Sequence, residues 1–122
     1  MNPQDLLATL PHFTGTTGYV RLCPKTVLTD GALFLAENAE CYWLMDVFAS
    51  HLLASIDGDN EPFTCLNLTK TGEHSALIII DDGNGVGLAS QEIEYTDFPL
   101  DEIKLYACWA EQFWVLMLPG EY

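Results

Sequence analysis

Residues 29–53 read TDGALFLAENAECYWLMDVFASHLL. This is the longest helical signal in the chain, and the strands that follow need an apolar surface of this size to pack against. Thr29 and Asp30 both carry oxygens that can accept from free backbone N–H groups, so a helix starts here. Asn38 interrupts the apolar pattern and predicts a break or kink near Glu37–Asn38. A stronger helix then runs from about Ala39 to Ser55. Leu44, Val47, Phe48 and Leu52 share one face at three- and four-residue spacing, and Cys41, Met45 and Leu53 widen it. Tyr42, Trp43, Asp46 and Ser50 leave only a thin polar line. A helix apolar over most of its circumference is a buried helix, which places this one across a sheet, nearly enclosed.

Asp46 is the one charge in the middle of that helix. Buried bare, a carboxylate costs several kcal/mol, so it is paired, hydrogen-bonded or at the surface. It either fixes how the helix sits or serves as a catalytic or ligand-binding acid. His51 has the same two readings: a satisfied rim or core histidine, or a ligand.

Working outward, Asn2 caps a short helix with Pro3 in its first turn, and Pro11 stops it. Gly15–Thr16–Thr17–Gly18 is a loop that lacks the lysine of a phosphate cradle. Tyr19 to Leu22 is a short strand candidate ended by Pro24, and Val27–Leu28 leads into the helix. After the helix, Asp57–Gly58–Asp59–Asn60–Glu61 resembles half a calcium loop. Position 68 is Leu where a bidentate Glu is needed, so a solvated acidic loop is expected.

The second half is strand-rich: Phe63–Thr69, then Ala76–Asp81, apolar on both faces. Asp82–Gly83–Asn84–Gly85 carries the Asn-Gly hairpin signal. Val86 and Leu88 have the opposite parity to Ile93 and Tyr95, so a bulge belongs near Ala89–Ser90. Thr96 to Leu100 is a structured turn, because Pro99 cannot donate. Ile103–Trp109 and Phe113–Leu118 complete the set. Helices first and strands later predict an α+β fold, with about four to five antiparallel strands in a meander-like sheet. The N-terminal helices pack on one face, within a single domain over residues 1–122.

The 122 residues carry 18 acids and only four basic residues (Arg21, Lys25, Lys70, Lys104), for a formal net charge of −14. The surface is acidic mainly because cations are missing. Such a protein repels nucleic acid and anionic membrane and steers toward basic partners. Cysteines 23, 41, 65 and 108 form no CxxC and no Cys/His cluster, so neither a zinc site nor a cofactor is expected. Met1–Asp5 is neither basic nor apolar, and no apolar run reaches membrane-spanning length, so a cytoplasmic protein with reduced thiols is expected.

No nucleophile, metalloprotease or phosphate-loop motif is present, and the three histidines share none. Between Thr71 and Ile103 there is no Lys or Arg, and eight acids: Glu73, Asp81, Asp82, Glu92, Glu94, Asp97, Asp101 and Glu102. On a strand, Glu92 and Glu94 would share a face about 7 Å apart. That is close to twice the axial spacing of about 3.4 Å per phosphate along a nucleic-acid strand. Such a row can compete for a basic nucleic-acid-binding groove, or it is simply a solvated face. Trp43 and Asp46, with Tyr95, Asp97 and Phe98, either form a binding surface or lock the Asp97–Leu100 turn onto the helix.

The segments TDG (29–31), Ala36–Glu37, YWLMDVFAS (42–50), DGNG (82–85), QEIEYTDFPL (91–100) and LPGEY (118–122) resemble a small domain family of bacteria, phages and plasmids. Its pattern has YWLxDxIAS and a closing LPSEY, so Phe48 replaces Ile and Gly120 replaces Ser. No activity is attached to the family. The resemblance implies a mobile-element setting, where small acidic proteins often inhibit host defence. The expected function is therefore non-enzymatic binding to a basic nucleic-acid-binding protein, such as a CRISPR or restriction component. The expected contact set is Asp81, Asp82, Glu92, Glu94, Asp97, Asp101 and Glu102, with Trp43, Tyr95 and Phe98. An interaction module working through the aromatic residues is the alternative, and an enzyme built around Asp46 or a histidine is the third.

Overall fold

The structure, a computed structural model, describes residues 1–122. Helix α1 (Pro3–Thr9) starts where expected: Asn2 Oδ1 accepts from the Asp5 N–H at 2.8 Å, with Pro3 in the first turn. A 3-10 turn, Leu10–His12, ends it. Strands β1 (Val20–Cys23) and β2 (Thr26–Leu28) form a tight hairpin that holds Lys25 at a φ of 64°. Helix α2 (Asp30–Asn38) is capped by the Thr29 hydroxyl, which accepts from the Ala32 N–H at 3.2 Å. Asp30 accepts from the Thr17 N–H and hydroxyl, and these bonds hold its carboxyl below the usual carboxylate range.

The expected break lies just after Asn38. The Cys41 N–H reaches back to the Ala36 carbonyl at 2.9 Å, a six-to-one closure that requires a left-handed residue between them. Glycine is usual there; this chain has Glu40, at a φ of 51°. Helix α3 (Tyr42–Ser55) then buries Leu44, Met45, Phe48, Ala49 and Leu52. It is less enclosed than its composition suggests. Asp46, Ser50 and Leu53 face outward, and Leu53 stays 45% exposed, because α3 covers one sheet face and nothing covers α3. Asp46 is thus a surface residue. His51 is a rim residue, with Nε2 2.8 Å from Gln91 Oε1.

The remaining strands are β3 (Phe63–Lys70), β4 (Ala76–Asp81), β5 (Gly87–Ile93), β6 (Glu102–Trp109) and β7 (Trp114–Met117), followed by a 3-10 helix, Pro119–Glu121. They join β1 and β2 in one seven-stranded sheet of order β1-β2-β7-β6-β3-β4-β5. Neighbours are antiparallel except β2 and β7, which run parallel. The expected four or five antiparallel strands are therefore an undercount. Three residues of β2 are too few to show a strand period, so Val27–Leu28 looked like a lead into the helix. The sheet is not a meander either. β6 inserts between β3 and β7, so the chain from β5 must cross the end of β4 and β3 to reach it.

The inner face carries Leu28, Leu66, Leu68, Ile78, Ile80, Leu105, Trp114 and Leu116, all buried against α2 and α3. Each such side chain contributes about 1.5–3 kcal/mol by leaving water. On β4 only Ala76, Ile78 and Ile80 are buried, while Ile79 looks out from the uncovered face at 41% exposure. The bulge expected near Ala89–Ser90 lies one residue earlier. Ala89 faces Ile80 and Gly87 faces Asp81, which leaves Leu88 as the extra residue.

The far ends of the chain close on each other. Glu121 receives three hydrogen bonds: from the Thr29 hydroxyl at 2.6 Å, the Gly31 N–H at 2.9 Å and the Leu118 N–H at 3.0 Å. Gly31 has no alternative at this site, because a Cβ there would meet the Glu121 carboxylate and Leu118 Cδ1 inside 3 Å. Gly120 is also forced: a Cβ would stand 2.7 Å from the Phe13 carbonyl oxygen.

Candidate functional site

The register sorts the expected acids into two groups at opposite ends of the sheet. Lys70, Ala76, Ile93 and Glu102 sit together at the end where the chain crosses from β5 to β6. Asp81 lies at the other end of β4, about 17 Å away at the strand rise per residue. Asp81 and Asp82 belong to the turn there. Asp81 Oδ1 accepts from the Gly83 N–H at 2.8 Å, and Asp82 Oδ1 from Asn84 at 2.8 Å and Val86 at 3.1 Å. The turn is not the two-residue Asn-Gly type. Gly83 and Gly85 take the positive φ values (85° and 90°), and the Asp82 carboxylate organises the loop between them. These two acids therefore do not join the acidic surface that the sequence suggested.

Glu92, Glu94, Asp97, Asp101 and Glu102 do gather at the crossover end, and all five are exposed. Glu92, Leu77, Thr69 and Glu102 form one cross-strand row on the uncovered face. Three strand spacings separate the two carboxylates, about 14 Å. Glu94 lies just past the end of β5. Glu73 belongs here as well: its carboxylate is 3.9 Å from His74, whose other ring nitrogen is 3.6 Å from Asp97. Lys70, the cation inside this cluster, is turned onto backbone, with Nζ donating to the Glu73 carbonyl at 2.7 Å and the Phe98 carbonyl at 3.3 Å. Lys104 stands two residues inside Glu102 on the same face.

The crossover itself is built around Thr96. Its N–H donates to the His74 carbonyl at 2.6 Å, and its hydroxyl accepts from the Phe98 N–H at 3.1 Å. Phe98 and Leu100 then drop into the core, each 3% exposed. Phe98, expected as a contact residue, is thus mainly a core residue, and what little of it is exposed borders a cleft beside Trp43. Tyr95 does the opposite and stands 67% exposed. Its hydroxyl donates to Asp97 Oδ1 at 3.2 Å, and its ring stacks on His74 with centroids 5.0 Å apart and planes 17° apart.

Trp43, from the first turn of α3, meets this crossover. A cleft of about 300 Å³ opens between them, lined by Glu40, Trp43, Tyr95, Thr96, Asp97 and Phe98. The sequence anticipated that Trp43, Tyr95 and Asp97 would share a surface. It missed Glu40 and His74. Glu40 is positioned only by the left-handed closure of α2, and His74 only by the β3–β4 hairpin, neither of which leaves a motif. Asp46, one turn beyond Trp43, is not among the lining residues.

The phenol of Tyr95 titrates above its ordinary range, because its proton is held by the hydrogen bond to Asp97 and by that carboxylate's charge. A raised folded-state value means that the contribution to stability is full below about pH 10 and is lost as the phenol ionises above it. One of the five tyrosines is therefore expected to titrate late in a tyrosinate absorbance titration. Asp97→Ala, which removes both the acceptor and the charge, should abolish the late step; a late tyrosine that survives the substitution would refute the assignment. Cys41 is a different case. Burial pushes its thiol up to about 12, which makes it an inert core group.

The model of a family of unknown function (DUF6876) matches residues 4–122. The chain belongs to this family. No curated protein matches it. One solved structure that it resembles is the crystal structure of a protein of unknown function from Enterococcus faecalis. The likeness has a TM-score of 0.58 at 10% identity and covers 86% of this chain and 98% of that one. At that identity the two share a fold and nothing finer. DUF6876 membership covers α1 through Glu121, so it takes in both the carboxylate closure and the Trp43–Tyr95 cleft. No helix of this member is long and apolar enough to cross a membrane.

Proposed function

We propose that this protein is a non-enzymatic binding protein that occupies a basic, nucleic-acid-binding surface of another protein through its crossover end. The supporting observation is the arrangement there. Glu73, Glu92, Glu94, Asp97, Asp101 and Glu102 are exposed there and outnumber the nearby cations Lys70, which is turned onto two backbone carbonyls, and Lys104. A predominantly negative field on a sheet end attracts cationic protein surfaces and raises the rate of encounter with them. A restriction or CRISPR component is the class of partner with such a groove. Asp81 and Asp82 take no part in this reading, because the turn at the opposite end uses them. The aromatic reading merges with the acidic one, since Tyr95 and Asp97 lie in both.

The test uses immobilised protein and lysate from a bacterial host. A nucleic-acid enzyme captured at low salt and displaced by duplex DNA is expected. The variant Glu92→Lys/Glu94→Lys/Asp101→Lys/Glu102→Lys should lose about tenfold or more in affinity for it, because each change turns an attraction into a repulsion. All four positions are exposed, so the fold should survive. A partner held equally well by this variant, or equally well in high salt, would sink the acidic-surface reading.

A further inference from the structure

We propose that the cleft between Trp43 and Tyr95 takes the guanidinium of an arginine side chain. This deepens the reading above, on which it rests only for the source of that arginine.

Size limits the occupant first. At about 300 Å³ the cleft lies at the bottom of the range for small-molecule sites, roughly 300–1,000 Å³. A side-chain head group fits a cleft of this size. Charge limits it next. Two acids, Glu40 and Asp97, are among the lining residues, and no Lys or Arg is. The aromatic walls then select among cations. A guanidinium is planar, stacks on aromatic faces and offers a fork of N–H donors to carboxylates. An ammonium has neither the plane nor the fork.

The walls are also preorganised. Tyr95 is exposed, yet it is held from two sides by its bond to Asp97 and its stack on His74. A ring fixed in this way loses little freedom when a second flat group lies on it. Trp43 is carried by the first turn of α3, whose next turns are buried in the core.

Glu40 supplies the argument that is independent of charge. It occupies the left-handed position that closes α2, where glycine is the residue of least strain. A glutamate at φ 51° is a local cost to folding, and this residue lines the cleft. Lys25 and Glu111 also take positive φ, but in hairpin turns; Glu40 differs in lining a cleft. Fold and site therefore make opposite demands at this position, and one substitution separates them.

The experiment is an NMR titration of ¹⁵N-labelled protein with acetyl-arginine amide, acetyl-lysine amide and sodium chloride at matched ionic strength. The Trp43 indole N–H and the Tyr95 amide should shift saturably with the arginine compound, with a Kd on the order of 1–10 mM, as suits a single side chain. The lysine compound should bind about fivefold or more weakly. The Trp109 and Trp114 indoles should stay in place. Glu40→Gln and Asp97→Asn should each weaken arginine binding at least severalfold. Glu40→Gly should raise the melting temperature by a few degrees and abolish binding.

Equal shifts with arginine and sodium, no saturation, or a Glu40→Gly protein that still binds would each overturn the proposal. If the cleft is silent while the four lysine reversals abolish partner binding, the guanidinium site fails and the acidic surface stands. If the cleft titrates while those reversals change nothing, the acidic surface fails and the cleft stands.

Discussion

Replacing Gly31 by alanine is expected to destabilise the protein by about 2–4 kcal/mol, measured by urea or guanidinium unfolding. The sign is the informative part. Alanine in place of glycine inside a helix normally stabilises it, by up to about 1 kcal/mol. Here the added Cβ would stand 2.7 Å from Glu121 Cδ and 2.8 Å from Leu118 Cδ1. Either the carboxylate moves and releases the Thr29 hydroxyl and the Gly31 and Leu118 N–H groups, or the 3-10 helix shifts as a whole. Glu121→Ala should itself cost about 1–3 kcal/mol, since it leaves part-buried donors unpaired. The double variant should then cost less than the two changes added together, because without the carboxylate most of the clash is gone. A stabilising Gly31→Ala, or strict additivity, would show that the closure does not hold α2 in place.

Phe48→Ala should be more damaging still, at about 3–5 kcal/mol. Phe48 is fully buried beneath α3 and belongs to the main core cluster, with Leu44 and Leu52 one turn away on either side. Removing its ring leaves a cavity between α3 and the sheet that rigid strands cannot close. Leu53→Ala is the control. Leu53 sits five positions further along the same helix and is 45% exposed, so its loss should stay within about 0.5 kcal/mol. Comparable losses at the two positions would mean that the outer side of α3 is covered in solution.

This pair of residues shows how far the sequence could be read. The periodicity of α3 identified Phe48 correctly, because a three- and four-residue spacing is a local property of the chain. It also enrolled Leu53 in the buried face. Only the arrangement of layers decides that point, since a helix with a sheet on one side has a wet back. The β3–β4 and β6–β7 hairpins were legible for the same local reason. The parallel pairing of β2 with β7 was not, because it joins segments more than two thirds of the chain apart and needs only three residues on one side.

The candidate site was legible by halves. Thr96, Phe98 and Pro99 announced a fixed turn, and Trp43 and Tyr95 were suspected of meeting. The split of the acids into two groups followed from strand direction, which parity and composition do not encode. Phe98 was misplaced because an aromatic residue in a turn gives no sign of which side of the chain it falls on. Glu40 could not be found at all, since a glutamate at a helix end carries no hint that its backbone is left-handed.

The closure at Glu121 also bears on vectorial synthesis. Thr29 waits 92 residues for the carboxylate that accepts from its hydroxyl, and β2 waits almost as long for β7. Until those residues leave the ribosome, the N-terminal third has a helix without its latch and, in β2, a strand paired on one side only. The β3–β4–β5 hairpins emerge earlier and can assemble from near contacts, whereas the β2–β7 seam must close a loop that spans more than two thirds of the protein. Nascent chains halted before residue 114 should therefore expose β2 and the apolar side of α2 to chaperones, and release at Glu121 should end that exposure.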